Sequence, residues 1–187
     1  ALAAAILAQG GEIVPDGPAE GAVIWATGWQ GLAEMTAAHH RMVGTGVKGQ
    51  AVLLAHDAAG LPQLFVEGLH VIPHADGTVA VGSTTERAFD APTSTDAQCD
   101  ALLEKARLAV PALRDAPELR RWAGVRPRSR TRAPMLGAHP FRQGEFVANG
   151  GFKIGFGMAP LAAECMADLM LDGVNRIPPD FDPSQSL

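Results

Sequence analysis

The chain has 187 residues, 47% apolar and 19% charged, and a formal net charge of −5 at pH 7. That composition excludes intrinsic disorder, and the acidic balance argues against general nucleic-acid binding. No apolar run approaches the roughly 20 residues that a membrane-spanning helix needs, and the length allows a sizeable core in one large domain or two small ones.

The chain opens on Ala1, inside an apolar run over residues 1–8 with no N-cap before it. Lacking a basic flank, this run reads as a packed helix rather than a secretory signal. It reads as the beginning of a piece of a longer, cytoplasmic polypeptide. Ala22, Val23, Ile24, Trp25 and Ala26 form the continuous apolar run expected of a strand buried on both faces, ended by Thr27 and Gly28.

Gly44, Gly46 and Gly49 satisfy the GxGxxG pattern of dinucleotide binding, with Glu67 at a plausible distance downstream. That fingerprint needs a strand before it and a helix after it. His39, His40, Arg41, Met42 and Val43 supply no such strand, so Lys48, Gly49 and Gln50 read as the start of a sheet strand instead. Residues 47–55, 63–66, 70–73 and 78–81 form a hairpin pattern, with His74, Ala75, Asp76 and Gly77 turning between the last two.

Thr95 or Asp96 can cap a helix that carries Leu102, Leu103, Ala106 and Val110 on one face and ends at Pro111. Residues 121–127 and 145–148 read as short strands. A glycine-rich loop with Gly150, Gly151, Gly155 and Gly157 then leads through Ala159 and Pro160 into an apolar helix over residues 161–171. Gly173 stops that helix, and residues 178–187 read as a loosely attached tail.

Two features carry chemistry. Arg107, Arg114, Arg120, Arg121, Arg126, Arg128, Arg130 and Arg132 crowd one segment of an acidic chain, a local field that suits an anionic small molecule. The glycine loop opens onto a helix N-terminus, where backbone N–H groups and the helix dipole make a cradle for an anion or cofactor. Cys99 and Cys165 have no metal-ligand or redox spacing and read as buried thiols, and the histidines, among them His39, His40 and His74, suggest no metal site.

Three pieces in order, residues 23–28 (Val-Ile-Trp-Ala-Thr-Gly), 122–127 (Trp-Ala-Gly-Val-Arg-Pro) and 150–160, together resemble the C-terminal part of the D-amino-acid oxidase family of flavoproteins, glycine oxidase-like members especially. Residues 47–50, the hairpin over 72–84 and Pro111, Ala112 and Leu113 extend the resemblance over residues 20–173. It implies an α+β fold: an antiparallel substrate-domain sheet with flanking helices, plus the C-terminal remnant of an FAD-binding domain. Residues 1–46 and 136–175 would belong to that remnant, 47–135 to the substrate domain and 176–187 to a tail. The family's N-terminal unit with the true GxGxxG has no counterpart here, so the resemblance implies a partner half and an incomplete FAD site.

The resemblance also implies roles. Arg126 takes the place of the arginine that binds the substrate carboxylate. His70 stands where glycine oxidase-like members carry a substrate-holding tyrosine, and Thr85 would face the same pocket. Thr27 and Gly28 would approach FAD by backbone contact. Gly150, Gly151, Phe152, Lys153, Ile154, Gly155, Phe156, Gly157 and Met158 would lie along the flavin, with a helix beginning near Ala159 aimed at it and Lys153 at a position often held by arginine. Arg128, Arg130 and Arg132 depart from the family and read as solvated or salt-bridged. The implied function is FAD-dependent oxidation of an amino acid or amine to an imine that hydrolyses. Two alternatives stay open: a non-catalytic module that docks a partner chain or a second copy of itself, and a flavoenzyme acting on a tertiary amine or modified nucleoside.

Overall fold

The computed structural model describes residues 1–187 and divides them between two sheets. The larger sheet is antiparallel and five-stranded. It contains β2 (Gly44–Ala55), β3 (Leu64–Val66), β4 (Leu69–Pro73), β5 (Thr78–Gly82) and β6 (Glu118–Ser129), in the order β3-β4-β5-β2-β6. The turn from β4 to β5 forms as its sequence dictates: Gly77 takes a positive φ of 79°, and the Thr78 amide donates to the Asp76 carboxylate at 3.1 Å.

Alternation along β2 decides where the core lies. Val52 and Leu54 point to one face, where Val79, Val81, Leu69 and Val71 join them from the neighbouring strands. The helix α3 (Ala97–Ala109) covers that face with Cys99, Leu102, Leu103 and Ala106, completing a cluster of 13 buried residues. Asp96 is its N-cap, accepting from the Gln98 amide at 2.9 Å. The helix ends at Ala109, one residue before Val110 and Pro111.

The smaller sheet has the order β1-β8-β7, built from β1 (Ile24–Trp25), β7 (Met135–Ala138) and β8 (Phe146–Asn149). β1 pairs with β8 in parallel, β7 with β8 antiparallel. A second helix, α2 (Gly28–His39), sets Leu32 and Met35 against Val43, Met135 and Val147, a cluster of only 5 buried residues. The last helix, α4 (Gly155–Ala167), continues as one turn of π-helix to Asp172.

Five expectations change. Residues 22–26 contribute only a two-residue strand, which is paired along one edge and leaves Ile24 exposed, not buried on both faces. The opening run does form a helix, α1 (Leu2–Ala8), but it buries none of its residues. The strand read from residue 47 starts at Gly44, so the decoy glycines lie inside β2, where no helix could follow them. The last helix begins at Gly155, before the expected start near Ala159. The tail is docked: Pro183 and Ser186 are buried, and Arg130 donates to the carbonyls of Ser186 (3.1 Å), Gln185 (3.0 Å) and Leu187 (2.5 Å). Arg130, read as solvated or salt-bridged, is thus a main-chain clamp.

Candidate functional site

The arginine expected to meet an anion sits on the sheet face turned away from α3. β2 and β6 pair with Val47 opposite Arg126 and Gly49 opposite Gly124. Side chains at alternate positions share a face, which groups Val47, Gly49 and Ala51 with Arg126, Gly124 and Trp122. The Arg126 guanidinium lies over Gly49, in space that any Cβ there would occupy. Its Nη2 donates to Ser83 Oγ at 2.5 Å, while Nη1 is buried and has no partner. Burial pulls its pKa below the ordinary arginine value, and the nearby Glu86 charge offsets part of that. The group stays cationic, so Nη1 is a buried donor without a partner.

The same face carries the other two residues expected at the substrate. His70 pairs with Gly82, which pairs with Ala51, which pairs with Trp122, forming one row across four strands. Its Nδ1 lies 2.8 Å from Gln63 Nε2, and its ring packs on Phe65 at 4.7 Å between centroids. Thr85 is exposed. The Thr84 amide bonds Gln50 O at 3.2 Å and the Glu86 amide bonds Lys48 O at 2.9 Å, which sets Thr85 opposite Gly49. Register therefore gathers Arg126, Thr85 and His70 on one surface.

Beneath that surface lies a polar network that sequence reasoning missed. Lys48, 3% exposed, is 3.4 Å from Glu86 and 3.6 Å from Asp96. Gln50, fully buried, donates to Glu86 at 3.0 Å and to Asp96 at 2.8 Å, and its carbonyl accepts from the Asp96 amide. Thr84 donates its hydroxyl to Glu86 and accepts from the Gln50 amide at 2.8 Å. Burial alone would raise the Glu86 carboxyl; the hydrogen bonds from Thr84 and Gln50, with the Lys48 charge, outweigh it and hold the pKa below the ordinary glutamate value. One signal was available: Lys48 and Gln50 fall on the alternation that continues as buried Val52 and Leu54.

The glycine loop sits at the end of β6. Gly151 bridges to Arg128, and the Phe152 amide donates to Pro127 O at 3.0 Å, fastening the loop beside Arg126. Gly150 has φ +72°, which a side chain would strain, and its amide bonds Asn149 Oδ1 at 2.8 Å. The amide nitrogen of Asn149 donates in turn to Gly28 O at 2.8 Å, joining this loop to the β1–α2 turn. The Ile154 amide is satisfied by Gly151 O and that of Met158 by Ile154 O. This leaves the amides of Gly155, Phe156 and Gly157, in the first turn of α4, without an acceptor in the chain.

An apolar groove of about 660 Å³ runs between α4 and the small sheet. Gly28, Gly150, Gly151, Phe152, Gly155 and Met158 line it, together with Ile24 of β1 and Met166 of α4. The remaining residues of the expected flavin set stand apart. Thr27 lines a separate hollow with Trp25 and Glu34. Lys153, Ile154, Phe156 and Gly157 do not border the groove; Phe156 is 96% exposed, and the Lys153 ammonium lies 5.8 Å from the Phe152 ring. No cluster of His, Cys, Asp or Glu that could hold a metal occurs, and no helix is long and apolar enough to cross a membrane.

The chain is similar to proteins of known kind. Over 125 residues the chain is 34% identical to a glycine oxidase of Pseudomonas aeruginosa, a match covering 66% of this chain and 34% of that protein. The crystal structure of glycine oxidase from Geobacillus kaustophilus superposes with a TM-score of 0.72 at 27% identity, covering 89% of this chain and 46% of that one. Iminodiacetate oxidase from Chelativorans sp. BNC1 shares the fold with a TM-score of 0.76 at 24% identity, again over 46% of its length. The chain thus spans less than half the length of these relatives. Residues 2–169 match the family model described as FAD dependent oxidoreductase (DAO), and with most of its length inside that match the chain belongs to the FAD-dependent oxidoreductase family.

Proposed function

We propose that this chain forms the substrate-binding and ring-side part of an FAD-dependent enzyme that oxidises an amino acid or amine, glycine oxidase-like in kind. The observation that carries the reading is Arg126: a half-buried cation with one nitrogen held and the other, buried, unpartnered. A guanidinium so placed can take a carboxylate by charge-assisted hydrogen bonds, which fixes orientation as well as adding affinity. His70 and Thr85, on the same face, would flank the rest of the substrate.

Part of the glycine loop supports a flavin contact, since Gly150, Gly151, Phe152, Gly155 and Met158 line the groove. Three unpartnered amides stand at the N-terminus of α4, and a Cβ added at Gly155 or Gly157 would meet nothing in this chain, leaving room for close approach. A helix N-terminus is worth roughly 0.3–2 kcal/mol to a nearby anion, so these amides would favour a ring that gains negative charge. When bound, FAD supplies the hydride acceptor that turns the amine into an imine for hydrolysis. The residues of this chain bind the carboxylate, orient the α-carbon and keep water away, a positioning role that needs no acid–base pair.

An N-terminal half carrying the adenosine side of the site would complete the enzyme. The chain spans less than half of its relatives' length, β1 has an unpaired edge, and the apolar groove lies beside it. A cytoplasmic location accords with the reduced cysteines Cys99 and Cys165.

The test is the visible spectrum of the full-length protein under anaerobic addition of amino acids. A flavin band that bleaches with an amino acid, and an Arg126→Ala variant that keeps the band but loses turnover at least 100-fold, are expected from removal of a desolvated charge contact of about 3 kcal/mol. A protein without flavin, or equal loss of flavin and turnover in Arg126→Ala, would contradict the reading.

A further inference from the structure

Beside Arg126, Ser83 Oγ accepts a hydrogen bond from Nη2. We propose that Ser83 is a positioning residue for carboxylate capture, holding one arm of the Arg126 guanidinium so that the other is presented to the ligand, with the buried Lys48–Gln50–Glu86 network fixing the segment that carries it. The inference rests on the reading of Arg126 as the carboxylate anchor.

An arginine side chain has many rotamers, and its fork binds a carboxylate best when its plane is set in advance. Here Gly49 leaves the space beneath the guanidinium free of a side chain. The one side-chain hydrogen bond that sets the plane of the guanidinium runs from Nη2 to Ser83 Oγ. Because it engages Nη2, Nη1 is the nitrogen left without a partner.

Ser83 can act as a fixed post only if its own backbone is fixed. Residues 84–86 run beside β2 with three main-chain hydrogen bonds, Thr84 N to Gln50 O, Lys48 N to Glu86 O and Glu86 N to Lys48 O. Side chains on the opposite face from Arg126 lock the same stretch: Thr84 to Glu86 and to the Gln50 amide, Gln50 to Glu86, and Lys48 to Glu86. Gln50 and Lys48 also reach Asp96 at the head of α3, tying the segment to the packed core. Ser83 thus stands between the buried network and the Arg126 guanidinium.

The probe is pyruvate, an α-keto acid that carries the carboxylate and cannot be oxidised as an amine. Calorimetric titration of the FAD-loaded full-length protein compares wild type with Ser83→Ala, Ser83→Thr and Arg126→Ala. Loss of the oriented hydrogen bond in Ser83→Ala should raise Kd about five- to twentyfold with flavin content unchanged, and Ser83→Thr, which keeps the hydroxyl, should return to within about threefold of wild type. In turnover, the Ser83→Ala defect should fall on KM more than on kcat. Wild-type Kd in Ser83→Ala, alongside lost binding in Arg126→Ala, would overturn the positioning role and leave the carboxylate reading standing. Wild-type Kd in Arg126→Ala would overturn the reading itself. Equal weakening in Ser83→Ala and Ser83→Thr would show that packing, not the hydroxyl, is what matters.

Discussion

The two halves of this chain solve the burial problem differently. The five-stranded sheet covers one face with α3 and closes a cluster of 13 buried residues, whereas the three-stranded sheet, with α2 against it, closes only 5. On the side of α4 it leaves a 660 Å³ apolar groove, an open edge on β1 and large exposed side chains such as Phe156, Leu161 and Leu171. The larger sheet thus closes a core of its own, whereas the smaller leaves a groove and an open edge, the place where the proposed cofactor and remaining chain would sit.

The largest expected effect belongs to the open half. Gly155→Val in the full-length protein should weaken FAD binding at least 100-fold, because a branched side chain would stand where α4 presents its free amides. Its thermal midpoint without FAD should move little, since nothing in the chain lies within 4 Å of the new Cβ. Flavin content and apo-protein melting read the two quantities separately.

In the closed half the order reverses. Leu54→Ala removes a fully buried side chain and should cost about 2–5 kcal/mol of stability. Denaturant melts should show that loss with or without FAD, and a loss confined to the holoprotein would break the distinction between the halves.

Glu86 gives the closed half a pH signature. Its folded carboxyl titrates below the ordinary glutamate value. Its contribution is therefore complete above an unfolded pKa of about 4.3 and disappears as the pH falls through the lower folded value. Glu86→Gln should lower stability at neutral pH and flatten the acid limb of the stability curve, whereas an unchanged limb would show that the Lys48 network titrates elsewhere. The smallest effect is Asp96→Ala, about 1 kcal/mol for the lost cap, increased by whatever its contacts with Gln50 and Lys48 add.

Legibility in the sequence followed the same division. The hairpins of the closed half were readable because Val79 and Val81 alternate and Asp76-Gly77 turns the chain; Asp96 and Pro111 marked both ends of α3. The open half was harder. In α2 only Leu32 and Met35 are buried apolar side chains, amid Gly28 and Gly31, too little for a periodic signal. β7 has four residues, too few for an alternating pattern to stand out. The start of α4 was misplaced because Gly155 and Gly157 are poor helix formers, although a first helical turn of glycines is what leaves amides accessible. The docking of the tail by Arg130 joins residues distant in sequence and left no local mark. At the site, Arg126 is a candidate through its motif, but its Ser83 contact and the buried Lys48 network come only from register.

Hydrogen exchange compares the halves most directly, followed by mass spectrometry on the isolated chain and on the FAD-loaded full-length protein. Amides of β2, β5 and β6 should be protected in both, while those of β1, the glycine loop and α4 should gain protection only in the full-length holoprotein. Equal protection of β1 and α4 in the two samples would contradict this expectation.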